Sequence, residues 1–328
     1  MKRHKICKII FAILAVFLCV AFYELIGICI TYKKQPAVSD ATIKETQNIM
    51  SVAGRENTER AVIIEKNSQA LLERVRLIQN AKDEIILSTF AFKSDESGKL
   101  ILGALHDAAD RGVHVRILVD GMESWIDMEG NPYFYGLSSH ENVEIKLYNK
   151  ANPLKPWKTM GRMHDKYLIA DGKIYILGGR NTYNYFLGDF PGHKNFDRDV
   201  LVVCDEPQKD NSVNQLWNYF ETIWEQEDCR YFHNSKKLAD RQSVKKAVLE
   251  LQKGYQQYFE VNKEKICDTD YADETFETEK ITLLSNPIHT QAKEPVVWYQ
   301  LGELMKNAKE RVKIHTPYII CNDMMYNT

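Results

Sequence analysis

The sequence predicts an α/β layered domain carried behind one N-terminal membrane-spanning helix. Three observations lead there: an apolar run near the start, alternating strand-like and helix-like segments from about residue 60, and a segment repeated at a domain-sized interval.

From Ile9 to Tyr32 the only side chain expected to be charged is Glu24. A run of about 24 residues crosses the ~30 Å hydrocarbon core as a helix rising 1.5 Å per residue. A buried core helix seldom stays apolar this long, and a cleaved signal has a shorter apolar region and a small-x-small site. Lys2, Arg3, Lys5 and Lys8 precede the run and Lys33 and Lys34 follow it. That bias favours a single-pass cell-membrane anchor with a cytoplasmic N-terminus. Residues 1–34 are thus the basic tip and anchor, and 35–60, polar and without an apolar stripe, a stalk.

Strand-like segments follow at 84–92, 113–119, 143–148, 166–170, 173–177 and 200–204. Helix-like ones lie at 98–111, 212–226 and 243–260. The alternation predicts a buried sheet with helices on both faces over 61–265. An acidic connector is expected over 266–280.

The repeat pairs Asn80-Ala-Lys-Asp-Glu-Ile-Ile-Leu-Ser-Thr-Phe-Ala-Phe92 with Asn307-Ala-Lys-Glu-Arg-Val-Lys-Ile-His-Thr-Pro-Tyr-Ile319. Each follows an apolar-periodic helix segment and enters a strand. The offset of about 227 residues is domain-sized, so 281–328 reads as the start of a second repeat. It predicts a helix over 298–306 and a strand over 312–320.

The 328 residues are 44% hydrophobic and 27% charged, with a formal net charge of -2. No global positive field gathers nucleic acid, which is not an expected partner. The seven cysteines lack C-x-x-C and zinc-ligand spacings, so no metal or other cofactor is expected. A Cys229–Cys267 bridge is open if that region lies outside the cell.

The chemistry concentrates in Gly161-Arg-Met-His-Asp-Lys-Tyr-Leu-Ile-Ala-Asp171 and Gly178-Gly-Arg-Asn181. His164, Lys166 and Asp171 stand as His-x-Lys-x4-Asp. In a strand His164 and Lys166 project from one face, placing an imidazole nucleophile beside a fixed cation. The ammonium balances the oxygens of a phosphate diester as charge shifts. Asp171-Gly172 is a turn signal, which makes Asp171 a candidate for holding the strand-turn-strand loop. The glycines and Asn181 place backbone and amide donors where a phosphate would sit. His140, His193 and His289, without such partners, read as surface residues.

These segments resemble the phospholipase D superfamily. The likeness is strongest to bacterial cardiolipin synthases, in Arg162-Met-His-Asp-Lys166, Gly178-Gly-Arg-Asn181, Phe196-Asp-Arg-Asp-Val200, Phe220-x3-Trp224, Ser285-Asn-Pro287 and Thr316-Pro-Tyr318. The resemblance implies a phospholipase D-like α/β/α domain, two half-sites facing across a pseudo-twofold, and a covalent phosphohistidine. It counts His164, Lys166 and Asp171 as the catalytic motif, with His164 as nucleophile or general acid. Lys166 and Asn181 would bind the phosphate. Asp197, or alternatively Asp199, would orient the other ring nitrogen of His164. The implied reaction is phosphatidyl transfer that makes cardiolipin from phosphatidylglycerol, which suits an anchored protein whose substrates lie in the bilayer. A second His-x-Lys would fall near position 391. The expectation is therefore that the chain stops short of its second half-site, unless a homodimer supplies it. Two competing readings are a phosphodiesterase or nuclease with water as acceptor, and a catalytically incomplete tethered protein that binds anionic lipid.

Overall fold

The computed structural model describes residues 2–51, 58–314, 316 and 323–327. In chain order the elements are α1 Lys2–Tyr32, α2 Asp40–Ser51, β1 Arg60–Ile64, α3 Asn67–Asn80, β2 Glu84–Thr89, α4 Glu96–Asp110, β3 His114–Asp120, α5 Glu123–Asp127 and α6 Pro132–Ser138. There follow β4 Val143–Tyr148, β5 Tyr167–Ala170, β6 Ile174–Gly178, β7 Asp199–Val203, α7 Ser212–Trp224, β8 Cys229–Tyr231, α8 Gln242–Ile266, β9 Phe276–Glu277, α9 Val296–Lys306 and α10 Asp323–Asn327. The chain divides into two compact units, Gly54–Lys150 with Arg162–Leu283, and Met1–Ala53 with Ala151–Gly161 and Leu284–Thr328.

The larger unit is built on one nine-stranded sheet of order β8-β4-β3-β2-β5-β6-β7-β1-β9. The strands β2, β3 and β4 run parallel, and β5 joins β2 antiparallel and starts an antiparallel run through β6 and β7. Alternation assigns the faces. Ile85, Leu87, Val115, Ile117, Val119, Leu168, Ile176 and Leu201 form a single buried core with α3, α4, α6 and α8. The intervening residues meet α7: Arg116 packs under Phe220, Tyr167 against Tyr219, and Tyr175 bonds Ser212 at 2.8 Å. Helices thus cover both faces.

Local chemistry sets the boundaries. The helix α4 starts where the Asp95 carboxylate accepts from Gly98 N at 3.1 Å, and it ends before Gly112, whose φ of +94 suits a residue without Cβ. The helix α6 has Asn131 as cap and Pro132 in its first turn.

The acidic stretch 266–280 is not a free connector. The Arg76 guanidinium binds the carbonyls of Asp268 and Asp270 and the Glu274 carboxylate, and its Cζ lies 3.9 Å from the Tyr271 ring centre. β9 then pairs with β1. The bridge considered between Cys229 and Cys267 does not form, since both are free thiols. Cys229 is buried, its thiol donating to Ile223 O, and burial pushes its pKa up to about 12.

In the smaller unit α1 is apolar on all sides over 9–22, and Lys5–Tyr32 is long and apolar enough to cross a membrane. The stretch expected as a stalk contains α2, started by Ser39, whose hydroxyl accepts from Thr42 N and whose backbone N–H donates to Glu294. The helix expected over 298–306 forms as α9. The strand expected over 312–320 does not appear where it is described. Residues 312–314 are exposed coil without a partner strand among the described residues. A strand's N–H and C=O groups need such a neighbour. Residues 315 and 317–320 lie outside the described residues.

Candidate active site

Because β5 returns beside β2, the C-terminal ends of β2, β3 and β6 and the starts of β5 and β7 share one edge of the sheet. His164 and Lys166 lie there, though in the extended lead-in to β5 and not on the strand itself. The β5–β6 ladder continues one step past the strand, with Gly178 N donating to Lys166 O at 3.1 Å. Lys166 curls back so that Nζ donates to His164 O at 2.5 Å.

Phe90, just past β2, joins the pair. Its ring centre is 4.6 Å from that of His164 and 5.3 Å from Lys166 Nζ. The next residue holds Asn181: Ala91 N donates to Asn181 Oδ1 at 3.1 Å. The amide nitrogen of Asn181 is left to donate elsewhere. His164 reaches solvent on one side, yet the protein packed on the other side and the Lys166 charge both disfavour its protonation and lower its pKa. Burial brings Lys166 down to about 8, against the opposing pull of Asp165, Asp197 and Asp120. A largely neutral imidazole beside a titratable cation is the outcome.

The carboxylates are placed differently from the expectation. Among the described residues neither ring nitrogen of His164 has a hydrogen-bond partner, so neither Asp197 nor Asp199 orients it here. Asp199 is fully buried between two buried arginines, with Oδ2 at 2.9 Å from Arg74 Nη1 and 3.3 Å from Arg180 Nη1. Asp197 accepts from Arg198 N at 2.7 Å, and a Cβ on Gly179 would collide with its carboxylate. Its charge is felt at Lys166. Gly178 meets Asp199 in the same way, so the two glycines admit both acids beside the β6 end.

Asp171 sits at the other end of β5, seven residues from His164, roughly 23 Å of extended chain at ~3.3 Å per residue. It takes φ of +52 and accepts from the backbone N–H of Lys82, Asp83 and Glu84, pinning the start of β2. Asp171→Ala is expected to cost about 2–3 kcal/mol of stability as those donors lose their acceptor. The folded variant should keep kcat/KM within a few-fold. Equilibrium unfolding alongside kinetics checks this, and a collapse of kcat/KM in fully folded protein would refute it.

Sequence reasoning passed over several residues. Asp120, buried at the end of β3, accepts from Arg162 Nη1 at 3.0 Å and from Met163 N at 3.1 Å, clamping the backbone that leads to His164. Its signal was a carboxylate closing a buried parallel strand, a position where sites gather. Tyr219 on α7 holds Asp165 at 2.7 Å. His140 is no isolated surface residue: Nε2 meets Asp110 at 3.2 Å and its ring stands edge-on to His106. Among the described residues no group of three or more His, Cys, Asp or Glu is placed to hold a metal ion.

Residues 75–224 match the family described as cardiolipin synthase, PLD-like domain. This segment is similar to phospholipase D-like domains. An uncharacterised Helicobacter pylori protein is 33% identical over 181 residues, which is 51% of this chain and 35% of that one. Cardiolipin synthase C of Escherichia coli is 29% identical over 154 residues, 43% of this chain and 31% of its own length. Among solved structures NucT from Helicobacter pylori superposes with a TM-score of 0.41 at 17% identity, covering 53% of this chain and 99% of NucT. The chain spans about a third of the length of the curated relatives it matches. Within the matched segment lie His164, Lys166, Asp171, Asn181, Asp197 and Asp199.

Proposed function

We propose that this chain carries one catalytic half-site of a cardiolipin synthase-like phosphatidyltransferase acting on phosphatidylglycerol. The observation that carries the reading is the shared seat of a deprotonation-biased imidazole, a lysine ammonium and the Asn181 amide around Phe90–Phe92.

In the proposed reaction a neutral His164 nitrogen attacks the phosphorus of the donor diester. A P–N bond forms as the P–O bond to glycerol breaks, and the departing alkoxide takes a proton from an acid on the opposite half-site. The hydroxyl of a second phosphatidylglycerol then attacks. The new P–O bond forms, the P–N bond breaks, and the proton passes to the conjugate base of that same acid. Lys166 and the Asn181 amide neutralise and bind the non-bridging oxygens. Asp120 acts as a positioning residue, because it fixes the backbone ahead of His164. The opposed acid is an equivalent His, supplied by a second copy of this chain or by further sequence. In this reading α1 spans the bilayer with its N-terminus in the cytoplasm, which brings lipid substrates within reach.

The test is to incubate the anchored protein with labelled phosphatidylglycerol vesicles, in the context of its complete second half-site. Cardiolipin and glycerol should appear in equal amounts. Accumulation of phosphatidic acid without cardiolipin would instead identify a hydrolase, and cleavage of single-stranded DNA with no lipid turnover would identify a nuclease.

A further inference from the structure

In the smaller unit α1 and the segment 151–161 are packed together. Tyr23 Oη donates to Leu154 O at 3.1 Å. Pro156 lies so close over Gly27 that a Cβ there would meet Pro156 Cγ at 2.5 Å. Tyr32 Oη donates to Thr290 O at 2.9 Å, and Gly161 abuts the same Thr290 backbone. The half-covered residues Glu24, Gly27, Ile28 and Thr31 recur at i, i+3, i+4 and i+7, one face of the helix. Over 9–22, by contrast, the helix is bare on every side. One helix therefore has two environments.

Depth follows from helix geometry. Counted from Ile9, a ~30 Å core is used up after about 20 residues, near Ile28. The segment thus meets α1 where hydrocarbon gives way to headgroups. At that level it exposes Leu154 (78%), Met160 (58%) and Trp157 (39%), with Lys155 and Lys158 interleaved. Apolar tips among lysines suit the headgroup–acyl boundary of an anionic bilayer, and Trp prefers that level.

We propose that residues 153–160 form a membrane-dipping loop, seated on the outer part of α1, whose Leu154, Trp157 and Met160 insert into the lipid boundary. The occupant of this surface is the bilayer itself. In sequence, Gly161 precedes His164 by only three residues. The inference rests on α1 spanning the membrane.

Brominated lipids, which quench nearby tryptophan emission, test it in vesicles of phosphatidylcholine and phosphatidylglycerol. The unaltered chain should show a component quenched by bromines near the acyl carbonyls and absent from Trp157→Phe. In the Trp157→Phe background Leu154→Trp should be quenched by somewhat deeper bromines, and Phe17→Trp by bromines near the chain ends. Gly27→Leu should remove the Trp157 quenching, because the new side chain displaces Pro156. If Phe17→Trp is quenched while positions 154 and 157 are not, the loop proposal fails and the span survives. An unquenched Phe17→Trp would overturn the span and the loop with it. Trp157 quenching untouched by Gly27→Leu would overturn the seat on α1.

Discussion

His164→Ala is expected to lower phosphatidyl transfer by roughly 10²–10⁴-fold or more, and Lys166→Ala to be comparably damaging. The pH dependence is the sharper result. The Lys166 pKa is brought down to about 8 by burial, so its cation is present below that value and lost as pH rises through it. kcat/KM, which reports the free enzyme, should therefore fall above about pH 8. Lys166→Arg, charged at every accessible pH, should abolish that alkaline limb if it folds, whatever its effect on the maximum. His164 titrates below its ordinary 6.5, so a nucleophilic, neutral His164 puts the acid limb below 6.5. Were His164 the general acid, activity would instead decline as pH rises through that region. Because the opposed His must be protonated while His164 is neutral, the two limbs belong to the pair, and trapping the phosphorylated His identifies the nucleophile. A flat profile from pH 6 to 10 would remove the Lys166 assignment.

Asp199→Ala is expected to be the most destabilising single substitution in the site, by about 3–5 kcal/mol. The carboxylate is the shared counter-ion of Arg74 and Arg180, and all three side chains are almost wholly inaccessible to water. Removing it strands two guanidinium charges in the interior, although Arg180 keeps its bonds to Ile64 O, Glu65 O and Asn67 Oδ1. Unfolding of the detergent-solubilised protein by urea measures the loss. A change below about 1 kcal/mol would mean that the buried triad is not what holds β1, α3 and β7 together.

The sheet was legible because its inner strands are rich in Val, Ile and Leu and bounded by turn residues, which found six of its nine strands. The three missed strands are short and lie at or next to the ends of the sheet order: β1, β8 and β9 carry polar residues such as Arg60, Arg230 and Glu277, and their pairing is decided by distant partners. The motif itself was readable, because His164, Lys166 and Asn181 meet through neighbours a few residues along. The carboxylates were not. Spacing alone cannot tell that Asp199 faces Arg74, more than a hundred residues away, while Asp197 turns toward Gly179. Asp171 belongs to the motif by spacing and to the opposite sheet edge in space.

The strand order has a consequence for how the chain is made. β1 emerges early from the ribosome, yet its two neighbours are β7, about 140 residues later, and β9, later still. Until they arrive its backbone groups have no sheet to join. Arg180 reaches the carbonyls that end this strand, and Asp199 sits on the one that closes it. The edge bearing His164 and Lys166 is therefore completed late in synthesis, after the apolar helix α1 has left the ribosome. A nascent chain stalled before β7 would expose β1 as an unpaired edge, a target for chaperones or proteases, and would leave the seat of His164 and Lys166 unfinished.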